Sequence, residues 1–201
     1  MGRILFTKPL PIVGEIQLAQ IFSDLSTWIP KDAIITNGAG NFATWVHRFY
    51  RYGGFRTQLA PVNGSMGYGL PAAIAAKMTY PNRCVICVAG DGDFMMNSQE
   101  LATAMRYGIK IIVLILNNGM FGTIRMHQER EYKSRISGTN LTNPNFVQLA
   151  ASYHMLGFQI KKTEQFQAAF QEALASSQGS IIELVTDPEA ITPTKRLSEL
   201  S

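Results

Sequence analysis

A three-layer, doubly wound α/β fold, with a mostly parallel sheet and helices on both faces, is what this sequence predicts. Three observations carry that expectation. Segments with apolar residues at helical spacing alternate with short apolar, β-branched runs along nearly all of the 201 residues. Two of those runs, CVICVA (Cys84 to Ala89) and IKIIVLIL (Ile109 to Leu116), flank one helix-patterned stretch, the arrangement of a parallel crossover. Each run also ends in a polar turn, Gly90-Asp91-Gly92 after the first and Asn117-Asn118-Gly119 after the second.

The elements follow in order. Glu15 to Trp28 reads as an amphipathic helix, Ala33 to Thr36 as a strand and Phe42 to Tyr50 as a helix. Tyr68 to Met78 is helical, with Pro71 in the first turn, where a missing N–H costs nothing. Cys84 to Ala89 is a buried strand stopped by glycine. Asn97-Ser98-Gln99-Glu100 offers a capping residue with Glu three positions on, opening a helix through LATAMRY that Gly108 stops. After the strand Ile109 to Leu116, the spacing predicts a helix over Asn145 to Tyr153 and a short strand over Gly157 to Ile160. A helix over Thr163 to Ser176 and a last strand, Ser180 to Val185, ended by Asp187-Pro188, complete the pattern. Residues 1–193 form one domain by this reading, and 194–201 a loose tail. No internal repeat or low-complexity segment interrupts it.

Composition narrows the function. Apolar residues make up 46% of the chain, enough for a substantial core. The net charge is only +4, and basic residues come in twos and threes, so a nucleic-acid partner is not expected. No run approaches the ~20 apolar residues of a membrane span, and the start MGRILFTKPLPIVG is too briefly apolar for a signal peptide. The expectation is a cytoplasmic domain. Cys84 and Cys87 lie three apart in one strand and so point to opposite faces, which argues for two separate thiols rather than a disulfide or metal pair.

The chemistry is concentrated at two strand ends. Asp91 leaves one strand and Asn118 leaves the next, 27 positions later. In a parallel crossover both ends emerge on one edge, in the crevice where open α/β sheets bind ligands. A carboxylate with an amide carbonyl, and no Cys or His nearby, is a hard oxygen set suited to Mg²⁺ or Ca²⁺. Mg²⁺ retains water or phosphate ligands, so a phosphate group is expected with it. Gly90, Gly92, Gly119 and Gly122 would let backbone approach a diphosphate, with N–H groups at the following helix start directed at it. The plainer alternative is a crossover whose Asp merely turns the chain; Asn-Asn-Gly after the next strand weighs against it.

These motifs also carry a resemblance. GDGDF, with NN ending the next strand, resembles the cofactor motif of thiamine-diphosphate enzymes, specifically the diphosphate-binding domain of the acetolactate synthase and pyruvate oxidase group. NGSMGYGLPAAIAAK (Asn63 to Lys77) is similar to the segment of that group that grips the aminopyrimidine ring, and ITNGAGNF (Ile35 to Phe42) to its first phosphate-side loop. NNGMFGTIRMHQE (Asn117 to Glu129) resembles the loop and helix over the thiazolium in acetolactate synthases. The resemblance runs from about Ile12 to Pro193 and is more specific for the cofactor than for the substrate.

It implies thiamine diphosphate and Mg²⁺ as cofactors, with the side chains of Asp91 and Asn118 and the main-chain oxygen of Met120 as metal ligands. Gly90, Gly92 and Asp93 would border the diphosphate, the last two through backbone N–H groups, with Gly122 and Thr123 approaching from the other loop. Asn41 would reach a phosphate, although its residue type also suits a helix cap. Phe42 stands where acetolactate synthases often carry His, so that contact is expected to be lost. The Gly64 carbonyl would accept from the pyrimidine amino group. Met66 would be an apolar wedge under the bent cofactor with a catalytic part in its activation, or else core filler. His127 occupies the place of a Trp that shapes the second-substrate pocket; it reads either as a proton-transfer residue or as a solvated helix position. Arg125 is a candidate carboxylate anchor, with a surface ion pair as the alternative.

The implied reaction is acetolactate synthase-like: decarboxylation of pyruvate and transfer of the two-carbon unit to a second 2-keto acid. A decarboxylase or lyase acting on a bulkier 2-keto acid, and a non-catalytic subunit retaining the fold, stay open. Enzymes of this group hold the cofactor between two domains, and nothing here resembles the pyrimidine-binding domain with its Glu. The chain is therefore expected to be part of a longer polypeptide or a separate subunit, nearly inactive alone. Any FAD requirement would belong to the full-length enzyme, and a homo-oligomer is implied.

Overall fold

The computed structural model describes residues 14–200; the amino-terminal stretch read for a signal peptide and Ser201 of the expected tail lie outside them. The sheet has six strands: β1 Ile34–Asn37, β2 Gln58–Leu59, β3 Val85–Gly90, β4 Ile112–Asn117, β5 Leu156–Ile160 and β6 Ser180–Val185. Their order is β2-β1-β3-β4-β6-β5, and every neighbouring pair is parallel. Among the described residues eight α-helices join them: α1 Leu18–Trp28, α2 Ala43–Phe49, α3 Gly69–Thr79, α4 Asp91–Met95, α5 Leu101–Arg106, α6 Gly122–Glu131, α7 Phe146–Ser152 and α8 Thr163–Ala175.

Because side chains alternate across a strand, each of β1, β3, β4 and β6 feeds two cores. Ile35, Ile86, Val88, Leu114, Leu116 and Leu184 face one layer, built by Phe22 and Leu25 of α1, Trp45 of α2, and Phe166 and Phe170 of α8. Ile34, Cys87, Ala89, Val113, Ile115 and Ile181 face the other, built by Leu70 and Ile74 of α3, Leu101 of α5, and Phe146 of α7. Each fully buried Phe or Leu contributes roughly 1.5–3 kcal/mol of transfer free energy, so neither layer is dispensable. The rings of Trp28, Phe166 and Phe170 lie within about 6 Å of one another and lock α1 onto α8. Cys84 packs on the first core and Cys87 in the second, both as free thiols.

Where the structure departs from the spacing, tertiary contacts explain it. The first helix begins at Leu18 rather than Glu15, because Thr163 Oγ1 donates to the Glu15 carbonyl and accepts from the Gln17 N–H, holding 15–17 against the start of α8. Asn97 does not cap the following helix. Its Nδ2 donates instead to the Gly67 carbonyl (2.9 Å), and a short 3-10 turn, Ser98–Glu100, leads into α5. Gly108 ends that helix with φ of 60°, a conformation that favours glycine. The two-residue β2 and the five-residue α4 were too short to show in the periodicity. The stretch after Pro193, expected to be loose, is packed: Leu197 is buried in a small cluster with Ile191 and Met120. Among the described residues no helix is long and apolar enough to cross a membrane.

The strand order positions the site. From β1 the chain turns to β2 on one side, while β3, β4 and β6 stack on the other, so the loops diverge outside the carboxyl ends of β1 and β3. Such a switch point leaves a crevice.

Candidate functional site

A cavity of about 240 Å³ opens at the carboxyl ends of β1, β3, β4 and β6. Its walls are four loops and one segment before α3: Ala39 to Phe42, Gly90 to Asp93, Asn118 to Ile124, Thr186 to Ile191 in part, and Gly64 with Met66. Of the residues singled out in the sequence, Asn41, Gly64, Met66, Gly90, Asp91, Gly92, Asp93, Asn118, Met120, Gly122 and Thr123 all border this one cavity. His127 does not.

Asp91 opens α4 directly from the end of β3 and is only 2% exposed. Its Oδ2 accepts from the Gly119 N–H (2.9 Å) and from Asn143 Nδ2 (2.7 Å). Burial raises its pKa above the ordinary carboxylate value, while those donors and the backbone at Gly92 pull it back. The side chain of Asn118 makes a local turn, its Oδ1 accepting from the Met120 N–H (3.2 Å) and keeping a second lone pair. Gly119 provides the reversal between them at φ of 70°.

Asp93 was expected to act through its backbone N–H; its side chain ties two distant loops together. Its Oδ1 accepts from the N–H groups of Ala39 (3.1 Å) and Gly67 (2.9 Å), joining the loop after β1 to the segment before α3. Its Oδ2 is buried with no partner. Burial raises this carboxyl to about 6, against the opposing pull of the two N–H donors. A Cβ on Gly38 would stand 2.0 Å from Asp93 Oδ1, so the bare backbone there is a packing requirement.

The remaining predicted residues are placed as follows. Asn41 caps no helix: its N–H donates to Thr123 Oγ1 (2.9 Å), whose hydroxyl donates back to Asn41 Oδ1 (3.0 Å). This pins the start of α6 to the first loop. The Phe42 ring lies against Gly90 and Gly40, where an added Cβ would meet it at 2.9 Å in each case. Gly92 is likewise crowded by Phe121, so these glycines serve packing as well as open approach. Arg125 pairs with Glu129 one turn on, beneath the surface of α6. His127 sits on the outer side of α6, half-exposed, with Nδ1 2.7 Å from Arg130 Nη2.

Sequence reasoning missed a buried polar chain behind Asp91. Glu183, 4% exposed in β6, accepts from Asn117 Nδ2 (2.6 Å) and Gln159 Nε2 (2.9 Å). Asn117 Oδ1 in turn accepts from Gly119 N–H and Asn143 Nδ2, both at 3.0 Å. The one available signal was a lone carboxylate inside the apolar run IIELV.

The lining of the cavity is mixed. Asp91 and Asn118 offer oxygen, and among the described residues no cluster of three or more His, Cys, Asp or Glu provides a softer site. Leu18, Trp45, Leu116, Ile124 and Ile191 supply apolar wall. That mixture suits a molecule with a cation-bound anionic tail and an apolar ring system.

Comparison with known proteins agrees. The family described as thiamine pyrophosphate enzyme, C-terminal TPP binding domain, matches residues 38–184. An acetolactate synthase of Arthrospira platensis is 37% identical over 165 residues, covering 81% of this chain and 28% of that protein. A probable acetolactate synthase large subunit of Methanocaldococcus jannaschii is 34% identical over 188 residues, covering 92% of this chain and 31% of that one. Among solved structures, a thiamine diphosphate-dependent 4-hydroxybenzoylformate decarboxylase of Rhodococcus jostii superposes with a TM-score of 0.82 at 29% identity, over 93% of this chain and 35% of that chain. The chain spans roughly a third of the length of the relatives it matches. It belongs to the thiamine pyrophosphate enzymes, in the acetolactate synthase group, as their carboxyl-terminal cofactor-binding domain.

Proposed function

We propose that the chain is the magnesium- and diphosphate-binding part of an acetolactate synthase-like carboligase, which decarboxylates pyruvate and passes the two-carbon unit to a second 2-keto acid. The observation that carries this reading is the convergence of Asp91, Asn118 and Met120 with Gly64 and Met66 on one cavity lined by both polar and apolar groups. The residues fit the cofactor. Asp91, the Asn118 side chain and the Met120 carbonyl would hold Mg²⁺; Asn41, Gly90, Gly92, Asp93, Gly122 and Thr123 would border the two phosphates. At about 240 Å³ the cavity is smaller than the ~300–1,000 Å³ of complete small-molecule sites, which supports a site finished by a second, pyrimidine-binding domain.

Thiamine diphosphate, when bound, supplies an electron sink for breaking the carbon–carbon bond next to a keto group. The chain's own residues do the rest. The Asp91 carboxylate and the Asn118 amide oxygen would ligate the cation, with Asp91 offsetting part of its charge. Gly64 offers a carbonyl to an amino group, and the Met66 thioether excludes water beside it. His127 faces solvent in this chain and enters no step derived from it.

Calorimetry of the chain with Mg²⁺ and thiamine diphosphate tests the assignment: Asp91→Ala abolishes the magnesium-dependent heat, and an unchanged titration would overturn it. A second reading, decarboxylation of an aromatic 2-keto acid, is favoured by the likeness to the Rhodococcus decarboxylase. Joining the chain to a pyrimidine-binding domain and comparing acetolactate from pyruvate with aldehyde from aromatic keto acids separates the two.

A further inference from the structure

We propose that Glu183 is a positioning residue for the cation: acting through Asn117 and Asn143, it fixes which oxygen of Asp91 is left for the metal. The proposal rests on the functional reading above. It starts from three neighbouring strands. Ile115 of β4 and Gln159 of β5 both pair in register with Glu183 of β6, which brings Asn117, Glu183 and Gln159 to one face of the sheet. A carboxylate only accepts and a backbone N–H only donates, so the direction of each bond is forced. Asn117 must turn Nδ2 toward Glu183 Oε1, and its Oδ1 is thereby presented to the Gly119 N–H and to Asn143 Nδ2.

Those same two donors also hold Asp91 Oδ2, at 2.9 and 2.7 Å. Both of these donors fall on Oδ2 of a residue that lines the cavity, which leaves Oδ1 as the oxygen for the metal. Without the Glu183 acceptor, Asn117 loses the partner that sets its amide, and a reversed amide would oppose donors with donors at Gly119 and Asn143. Asp91 would then be free to rotate or to use Oδ2. Glu183 touches neither cavity nor ligand, so its influence runs through these amides alone.

Calorimetry of the full chain, titrating Mg²⁺ at fixed thiamine diphosphate, distinguishes this from a general contribution to folding. Glu183→Leu weakens Mg²⁺ binding by about 10- to 100-fold, the usual effect of removing an outer hydrogen-bond partner of a ligand. Glu183→Gln stays within about threefold of wild type, because Gln159 is exposed and can reverse its own amide to accommodate the new one. Asn143→Ala, a change in a half-buried loop that avoids the core, weakens Mg²⁺ binding as Glu183→Leu does and keeps the test available if the latter fails to fold. Wild-type affinity in Glu183→Leu or in Asn143→Ala overturns the proposal, and so does a Gln variant as weak as Leu, since that would make the charge rather than the amide direction decisive. A wild-type chain without magnesium-dependent heat overturns the functional reading itself, which a failure confined to the variants does not.

Discussion

Asp93→Asn is expected to change how the ligand-free chain responds to pH. The buried carboxyl titrates at about 6 in the folded protein, against 3.8 for an unperturbed one. The folded state therefore holds more protons than the unfolded state between those values, so stability is full below about pH 4 and declines as pH rises through about 6. A difference of roughly two pKa units corresponds to about 3 kcal/mol, and Asp93 is buried enough that little of it is screened. Asparagine can still accept from the Ala39 and Gly67 N–H groups but carries no charge. Its amide nitrogen gains no partner in the place of Oδ2, which lowers the variant at every pH alike. What isolates the charge is the change with pH. Relative to wild type, the variant gains about 2–3 kcal/mol between about pH 4 and pH 7.5, or roughly 5–10 °C in melting temperature for a domain this size. Asp91, also raised by burial, is common to both proteins and cancels. Thermal melts in EDTA across that range measure it, and a difference between the two proteins that stays flat with pH refutes the reasoning.

Two further outcomes follow from packing. Gly38→Ala places a methyl group 2.0 and 2.2 Å from the two Asp93 oxygens, of which Oδ1 is held by two backbone donors and Oδ2 is buried, so the carboxylate cannot easily give way. The expected loss is about 3 kcal/mol or more in urea denaturation, and a much smaller loss when Asp93→Ala is made in the same chain. Cys87 is fully buried with its thiol pushed up to about 12, so at neutral pH a thiol reagent labels it only as fast as the protein unfolds; rapid labelling in the native state would contradict the placement.

The fold was legible because its signals are local. Apolar runs such as IIVLIL and the glycines and asparagines that stop them need no knowledge of the rest of the chain. Asp91 and Asn118 could be paired for the same reason: each directly follows a strand, and parallel topology brings strand ends together. Asn143 and Glu183 carried no such mark. One lies in a Thr-, Asn- and Pro-rich stretch without periodicity and meets Asp91 only once that loop folds over the strand ends. The other lies in an otherwise apolar strand and is linked to Asp91 only through Asn117, by the pairing of β6 with β4 and of β4 with β3. Asn97 failed as a cap because propensity competes with tertiary demand, and the Gly67 carbonyl claimed its amide. The packed tail was missed because Leu197 is a single apolar residue, whose value depends on Ile191 and Met120 being beneath it.

The ring of Phe42 against Gly90 makes substitution at this pair directional in evolution. Exchange of the phenyl group for something smaller opens room and demands nothing of residue 90. Once a methyl had been acquired there, 2.9 Å from where the ring edge lay, restoring phenylalanine would meet a collision. The aromatic state can be left at the cost of a cavity and regained only by first giving the methyl up, so the order in which the two changes arise decides which variants remain within reach.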